Sequence, residues 1–182
     1  MQKPVPQIDQ SWTLFLDRDG VLNRKIDHDY VRNWSQFDWL PGVKEALAYF
    51  ATRFGKIVIV TNQRGVGRGW MTLEDLNDIH TRLKQAVTDA GGRIDGIYFC
   101  TDTTDEGSTH RKPKPGMAMD AKGDFPAIDF SKSIIAGDSG SDIQFGKNLG
   151  MYTVLIAPES KHDADLTVPG LAAFARLLQQ ND

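Results

Sequence analysis

The stretch Thr13-Leu14-Phe15-Leu16-Asp17-Arg18-Asp19-Gly20 passes abruptly from a short apolar run into charged residues. A short apolar run that stops at polar residues is typical of a buried strand. Carboxylates next to such a strand are costly in free energy unless a positive charge pairs with them. The stretch therefore predicts a strand that carries acidic groups to a functional edge of a sheet.

Four more apolar runs, at 57–60, 97–100, 134–136 and 152–156, have the same character. Segments with helical spacing lie between or after them, at 43–50, 73–87, 141–149 and 171–178, with a weaker candidate at 117–122. Strands alternating with helices predict an α/β fold with a parallel sheet of about five strands covered on both faces. Ligands bind beyond the carboxyl ends of such strands. The polar residues expected at that edge are Asp17, Asp19, Thr61, Asn62, Asp102 and Asp138.

Length and composition narrow the class of protein. A chain of 182 residues with 40% hydrophobic residues predicts one domain over 1–182. The net charge of -3 excludes the basic surface of a sequence-independent nucleic-acid binder. The chain has no apolar run that could span a bilayer, its start lacks a signal-peptide pattern, and Cys100 is its single cysteine. We expect a cytoplasmic monomer with neither membrane nor nucleic-acid partners.

The acidic residues suggest phosphoryl chemistry with a divalent cation. Mg²⁺ prefers oxygen ligands, and Asp17 with Asp138 would supply the usual one or two carboxylates. A second oxygen of Asp17 would be able to attack phosphorus. Asp19 would protonate the leaving oxygen and later deprotonate the hydrolytic water.

Donors and cations follow elsewhere in the chain. Thr61 and Asn62 offer a hydroxyl and an amide, and Lys112 offers a positive charge for the phosphoryl oxygens. Arg111 and Lys114 flank Lys112, so this segment suits an anion.

Four ordered motifs carry a resemblance to a known family. They are Asp17-Arg18-Asp19-Gly20-Val21-Leu22-Asn23, Val60-Thr61-Asn62-Gln63, Arg111-Lys112-Pro113-Lys114-Pro115-Gly116-Met117 and Gly137-Asp138-Ser139-Gly140-Ser141-Asp142. Together they resemble the motifs of the haloacid dehalogenase (HAD) superfamily. Within it the chain is most similar to the branch of D-glycero-D-manno-heptose 1,7-bisphosphate phosphatases and histidinol-phosphate phosphatases.

The resemblance implies a three-layer Rossmann-like fold with only a minimal cap, and it implies catalytic roles. Asp17 matches the nucleophile and a Mg²⁺ ligand. Asp19 matches the general acid/base, which also binds Mg²⁺ through its backbone carbonyl, and Asp138 matches the third protein ligand. Thr61 and Lys112 match the pair that stabilises the phosphoryl group.

The resemblance also implies how the substrate is held, by the segments that contain Asp27, His28, Tyr30, Asn62, Gln63, Arg64 and Arg111. The chain departs from the branch at Arg64, where a small residue is common. It departs again where the branch carries a zinc loop, because the corresponding positions here are Cys100, Asp102, Ser108 and His110. Structural zinc normally has four cysteine or histidine ligands, so we expect no structural zinc in this loop.

The leading hypothesis is a Mg²⁺-dependent phosphatase that forms an aspartyl-phosphate and acts on a small phosphorylated metabolite. Heptose 1,7-bisphosphate is the first candidate substrate. Histidinol phosphate is the alternative substrate, and a phosphorylatable receiver-like module is the alternative from another class. Asp142 is predicted to cap a helix or support the site rather than bind the metal. The glycine-rich segment 65–69 does not match a dinucleotide-binding motif. We therefore predict a flexible turn that lets Arg68 reach the site.

Overall fold

A computed structural model describes residues 3–159 and 162–180, and its centre is a six-stranded parallel sheet. The strands are β1 (Thr13–Leu16), β2 (Lys56–Asn62), β3 (Gly96–Cys100), β4 (Ser133–Gly137), β5 (Tyr152–Ile156) and β6 (Leu166–Val168). Their order across the sheet is β3-β2-β1-β4-β5-β6. The predicted α/β class is confirmed, and all five predicted strands are present. The additional strand is β6, whose three residues are too few to show a period in the sequence.

The helices are α1 (Val43–Arg53), α2 (Arg64–Gly67), α3 (Leu73–Asp89), α4 (Gly116–Asp124), α5 (Gly140–Leu149) and α6 (Leu171–Gln180). Short 3₁₀ turns span Trp34–Gln36 and Phe130–Lys132. The long helix α3 begins with a capping box in which the Thr72 hydroxyl accepts from the amide of Asp75 and the Asp75 carboxylate accepts from the amide of Thr72. No helix in the described residues is long and apolar enough to cross a bilayer.

The sheet separates two apolar layers because alternate residues of a strand face opposite sides. Leu14 and Leu16 of β1 pack into the larger cluster, which also contains Phe50 of α1. Phe15 points to the other face and packs in a second cluster with Phe145 of α5. Helices therefore cover both faces, which confirms the three-layer arrangement.

The order of the strands reverses at β1. The chain runs outward from β1 through β2 to β3 and then returns to place β4 on the opposite side of β1. In such sheets the crevice beyond the carboxyl ends of the strands at the reversal is the usual ligand site. The segment 17–42 crosses this edge with only the short turn Trp34–Gln36, as expected for a minimal cap.

Candidate active site

The turn after β1 brings the first two acidic residues to the strand reversal. The amide of Asp17 donates to the carbonyl of Ala136 in β4 at 3.0 Å, so the chain stays beside β4 as it leaves the sheet. Gly20 then adopts a φ of 89°, and a β-carbon there would clash with the carboxylate of Asp138. Glycine is required at this position because it allows both the conformation and the close approach.

Lys112 connects this turn to β4 and α5. Its buried Nζ donates to Asp17 Oδ1 at 2.9 Å, to Asp142 Oδ1 at 2.6 Å and to the carbonyl of Val60 at 2.7 Å. These bonds use all three ammonium protons. An incoming phosphoryl oxygen must therefore replace one of the present acceptors to bind Lys112 directly.

Asp142 caps α5, as predicted. Its Oδ2 accepts from the amide of Ser139 at 3.1 Å and from the Ser139 hydroxyl at 2.6 Å. Its Oδ1 accepts from Lys112, so both carboxylate oxygens already have partners. These hydrogen bonds fix Asp142 to both Lys112 and the start of the helix.

Oxygen atoms of Asp17, Asp138 and Asp142 lie within 4.8 Å of one another, which is the arrangement of a cation site. Asp138 Oδ1 is buried, and within 3–159 and 162–180 it has no hydrogen-bond partner. Its Oδ2 faces Lys25 Nζ at 3.1 Å. An orphaned carboxylate oxygen next to two further carboxylates fits a hard divalent cation such as Mg²⁺.

The electrostatics of the cluster agree with this fit. Burial raises the pKa of Asp17, Asp142 and Asp138 add to the rise, and Lys112 offsets only part of it. Burial by itself would lower the pKa of Lys112, but the Asp142 and Asp17 carboxylates raise it, so the ammonium stays charged. The site is therefore short of positive charge although Lys112 is present.

Asp19 has a different environment from Asp17, although only Arg18 separates them. Its carboxylate accepts from Arg18 Nη2 at 2.9 and 3.0 Å, from Asn23 at 2.9 Å and from Gln63 at 2.8 Å. Burial alone would raise the pKa of Asp19, but Arg18 and these hydrogen bonds lower it below its usual range. In this arrangement Asp19 is an ionised carboxylate directed at Arg18.

Arg18 and His80 were not identified as site residues from the sequence. Arg18 is fully buried, and its Nη1 lies 3.2 Å from His80 Nε2 on α3. Burial lowers the pKa of His80 to about 3, and the nearby Arg18 charge contributes. His80 is therefore a neutral acceptor that supports the guanidinium holding Asp19, and no local pattern in the sequence signals this long-range contact.

The cleft beside these groups has a volume of about 290 Å³ and is lined by most of the predicted site residues. Those in the lining are Asp17, Asp19, Tyr30, Asn62, Arg64, Arg111, Lys112 and Asp138. Lys25 also lines the cleft and was missed, because a lone lysine in a loop carries no signal in the sequence. Asn62 links the cleft to the lysine loop, since its Oδ1 accepts from the amide of Lys112 at 3.0 Å.

Four predicted residues lie outside the lining. Thr61 and Gln63 are buried, and Gln63 Nε2 donates to the Thr61 hydroxyl at 2.9 Å and to Asp19 at 2.8 Å. Gln63 thus binds Asp19 from the buried side, outside the cleft lining. Asp27 and His28 are exposed, whereas the neighbouring Asp29 lines the cleft. Arg68 does not line the cleft either, because its guanidinium lies over the Trp70 ring, 5.3 Å from the centroid.

The loop after β3 is held by polar side chains. The Ser108 hydroxyl donates to Asp102 at 2.6 Å and lies 3.9 Å from the Cys100 sulfur. The ring nitrogens of His110 face the Thr109 hydroxyl at 2.8 Å and Asp120 at 3.0 Å. The lack of structural zinc stays a prediction.

Comparisons with known proteins show which family this chain belongs to. Residues 13–167 match the family model described as polynucleotide kinase 3 phosphatase. The chain is 44% identical over 138 residues to a D-glycero-alpha-D-manno-heptose-1,7-bisphosphate 7-phosphatase of Mycobacterium tuberculosis, covering 76% of this chain and 73% of the relative. It is 40% identical over 171 residues to a protein of the same name from Burkholderia mallei, covering 90% and 87%. A relative from Neisseria meningitidis, 39% identical over 133 residues, is named for the beta anomer and covers 72% and 69%.

A similar solved structure is the D,D-heptose 1,7-bisphosphate phosphatase of B. bronchiseptica, crystallised with magnesium and phosphate. It superposes with a TM-score of 0.83 and 30% identity, covering 94% of this chain and 99% of that chain. The corresponding enzyme of Burkholderia thailandensis superposes with a TM-score of 0.65 and 28% identity, covering 91% and 96%.

Proposed function

This chain is a HAD-type phosphatase and belongs to the polynucleotide kinase 3 phosphatase family, and we propose that it removes the 7-phosphate of D-glycero-D-manno-heptose 1,7-bisphosphate. The observation that carries the proposal is the Asp17–Lys112 pair at the strand reversal, in a cleft with further cations. Curated relatives at 44% and 40% identity carry this activity in their names. A small phosphorylated metabolite is also the class of substrate that suits the proposed cytoplasmic location.

Asp17 is the proposed nucleophile. Lys112 binds its Oδ1, and within the described residues Oδ2 accepts no hydrogen bond, so Oδ2 is available to attack phosphorus. The new bond joins Oδ2 to phosphorus, and the bond between phosphorus and the sugar oxygen breaks. Water then attacks the aspartyl-phosphate, which releases inorganic phosphate and restores Asp17.

Asp19 is the proposed acid and base for these steps. In the first step it gives a proton to the departing sugar oxygen, and in the second it takes a proton from water. Its lowered pKa in contact with Arg18 suits the second step. The first step requires a protonated Asp19, so the carboxyl group must loosen its contact with Arg18 before it donates.

Asp17 and Asp138 are the proposed side-chain ligands of Mg²⁺, with the backbone carbonyl of Asp19 as the third protein ligand. When bound, the ion neutralises charge on the phosphoryl oxygens. Lys112 is proposed to stabilise the same oxygens once one of its present acceptors is replaced, and Asp142 holds Lys112 in place. The Thr61 hydroxyl is proposed as a further donor to the phosphoryl group.

Substrate recognition is proposed to come from the outer part of the cleft. Tyr30, Asn62, Arg64 and Arg111 line it and offer hydrogen bonds and positive charge. Asp27, His28 and Gln63 lie outside the lining, and we propose that they help to position the lining residues of the same segments. The cleft volume of about 290 Å³ is close to the lower limit of about 300 Å³ for small-molecule sites.

The test is phosphate release from a panel of substrates, each with Mg²⁺ or with EDTA. The panel contains both anomers of heptose 1,7-bisphosphate, histidinol phosphate and an oligonucleotide with a 3′-phosphate. We expect Mg²⁺-dependent release of one phosphate per heptose bisphosphate, with the highest kcat/KM in the panel. A higher kcat/KM for histidinol phosphate or the oligonucleotide would replace the proposed substrate, and a stable phosphoprotein without turnover would indicate a receiver-like module.

A further inference from the structure

Arg64 contributes to the cleft a partly exposed cation whose Nε is a buried donor without an acceptor among the described residues. It is the first residue of α2 and belongs to the cleft lining. Its Nε is buried and, within the described parts of the chain, has no hydrogen-bond partner. Because a buried donor without an acceptor is costly and the guanidinium is always charged, the missing partner is expected to be an anionic ligand.

The other cations of the cleft already have partners. Lys112 donates to Asp17, Asp142 and a backbone carbonyl, and Lys25 pairs with Asp138. Arg111 Nε donates to Asp105 at 2.7 Å, and its Nη1 lies 3.4 Å from the carbonyl of Asp102. Among these lining cations, Arg64 is thus the one with a buried donor that lacks an acceptor in the described residues.

The short helix α2 holds Arg64 in place. Gly65 packs against Tyr30, and a β-carbon at position 65 would come within 2.9 Å of the Tyr30 ring. The amide of Trp70 donates to the carbonyl of Gly65 at 2.9 Å, which closes the end of this segment. A side chain on such a braced segment can bind a ligand without a large loss of backbone entropy.

We propose that Arg64 binds the second phosphate of a sugar bisphosphate, the one that is not hydrolysed, and so makes the enzyme prefer bisphosphates to monophosphates. The inference rests on the proposed function, which places the reacting phosphate at Asp17 and Lys112. A phosphate dianion offers several acceptor oxygens, and the guanidinium fork matches them better than it matches single sugar hydroxyls. The 1-phosphate of heptose 1,7-bisphosphate is such a group.

The experiment compares kcat/KM for heptose 1,7-bisphosphate and for heptose 7-phosphate, which lacks only the 1-phosphate. The variant is Arg64→Gln, and the matched control is Arg68→Gln, which changes an arginine four residues later that lies over Trp70 and outside the lining. We expect Arg64→Gln to lose about 10- to 100-fold in kcat/KM for the bisphosphate. Hydrolysis of the 7-phosphate by this variant should fall much less than hydrolysis of the bisphosphate, and Arg68→Gln should match the wild type with both substrates.

The bisphosphate preference, taken as the ratio of the two kcat/KM values, decides between the outcomes. An Arg64→Gln protein with the wild-type ratio overturns the inference, whether both activities fall together or neither changes. Activity on the 7-phosphate shows that the Arg64→Gln variant is folded. If that variant does not fold, Arg64→Lys tests the same ratio with the positive charge kept and the guanidinium fork removed. A wild-type protein that does not hydrolyse the bisphosphate overturns the proposed function itself.

Discussion

The two ends of the cleft differ in the elements that supply their side chains and in how far those side chains are exposed. The inner end comprises Asp17, Lys112, Asp138 and Asp142. Asp17 and Asp138 directly follow strands, Asp142 lies in the first turn of α5, and Lys112 reaches in from the loop before α4 to bind Asp17 and Asp142. At the outer end, Tyr30, Arg64 and Arg111 come from loops and from one short helix. Lys112 is 2% exposed, whereas the Lys25 side chain at the boundary is 57% exposed. This difference fits the proposed division of roles, in which the buried inner end carries out the reaction and the more exposed outer end binds the rest of the substrate.

The largest effect is expected at the inner end from Asp17→Asn. Loss of the nucleophilic oxygen should reduce phosphate release by at least about a thousandfold. Thermal unfolding in EDTA should change little, because the amide has the same shape and a repulsion with Asp138 is removed. Asp38→Asn, at an exposed carboxylate paired with Arg24, is the control and should keep wild-type activity. An active Asp17→Asn protein would contradict the assignment of the inner end as the reacting end.

Lys112→Met tests whether the inner end is a buried ion cluster. Removal of the ammonium leaves the Asp17 and Asp142 carboxylates without their shared partner, so the free energy of unfolding should fall by about 3–5 kcal/mol. Urea denaturation measures this change. Lys114→Met, at an exposed lysine in the same loop, should change it by less than about 0.5 kcal/mol. Equal stability of the two variants would show that the cluster does not support the fold.

His80, which contacts Arg18 behind Asp19, makes the stability of the protein depend on pH. Its pKa is about 3 in the folded protein and about 6.5 when unfolded, so only the unfolded chain takes up a proton between these values. Stability should therefore fall as the pH decreases below 6.5, and the contribution of His80 to this loss should be about 3 kcal/mol at pH 4.

Urea denaturation of His80→Gln between pH 7 and pH 4 measures that contribution. The variant should lose less stability than the wild type over this range, because its amide does not titrate. His28→Asn, at an exposed histidine with a φ of 57°, should keep the wild-type dependence. Parallel curves for wild type and His80→Gln would exclude a buried neutral histidine beneath Arg18.

The smallest effect is expected at the boundary between the two ends, from Lys25→Met. Lys25 pairs with Asp138, and a partly exposed pair of this kind contributes about 0.2–1 kcal/mol. The variant should unfold at a slightly lower temperature in EDTA and bind Mg²⁺ about two- to fivefold more tightly, because no ammonium competes for Asp138.

Calorimetric titration with Mg²⁺ and thermal unfolding in EDTA provide the two measurements for Lys25→Met. Lys84→Met, at an exposed position on α3, makes the same change in net charge and should leave both values unchanged. Weaker binding of Mg²⁺ by Lys25→Met would show that this lysine helps to build the cation site instead of competing for it.

The sequence predicted those strands and helices whose local pattern of apolar, polar and capping residues is typical of a single type of secondary structure. The short apolar run before Asp17 and Asp19 predicts a buried strand with a polar end, and β1 confirms it. Because parallel strands end at one edge, the same reasoning brings Asp138 to Asp17. The helices α1, α3 and α5 follow from hydrophobic spacing and capping residues in the same way.

The tertiary structure decided what depends on distant partners. Arg18 meets His80 across 62 residues, and Lys25 meets Asp138 across 113 residues. The strand β6 forms only because β5 offers it an edge. The opposite pKa shifts of Asp17 and Asp19 also arise here, since one carboxylate lies among other carboxylates and the next faces a buried guanidinium. The residue types show which groups can react, but their charge states depend on neighbours that only the folded chain brings within a few ångströms.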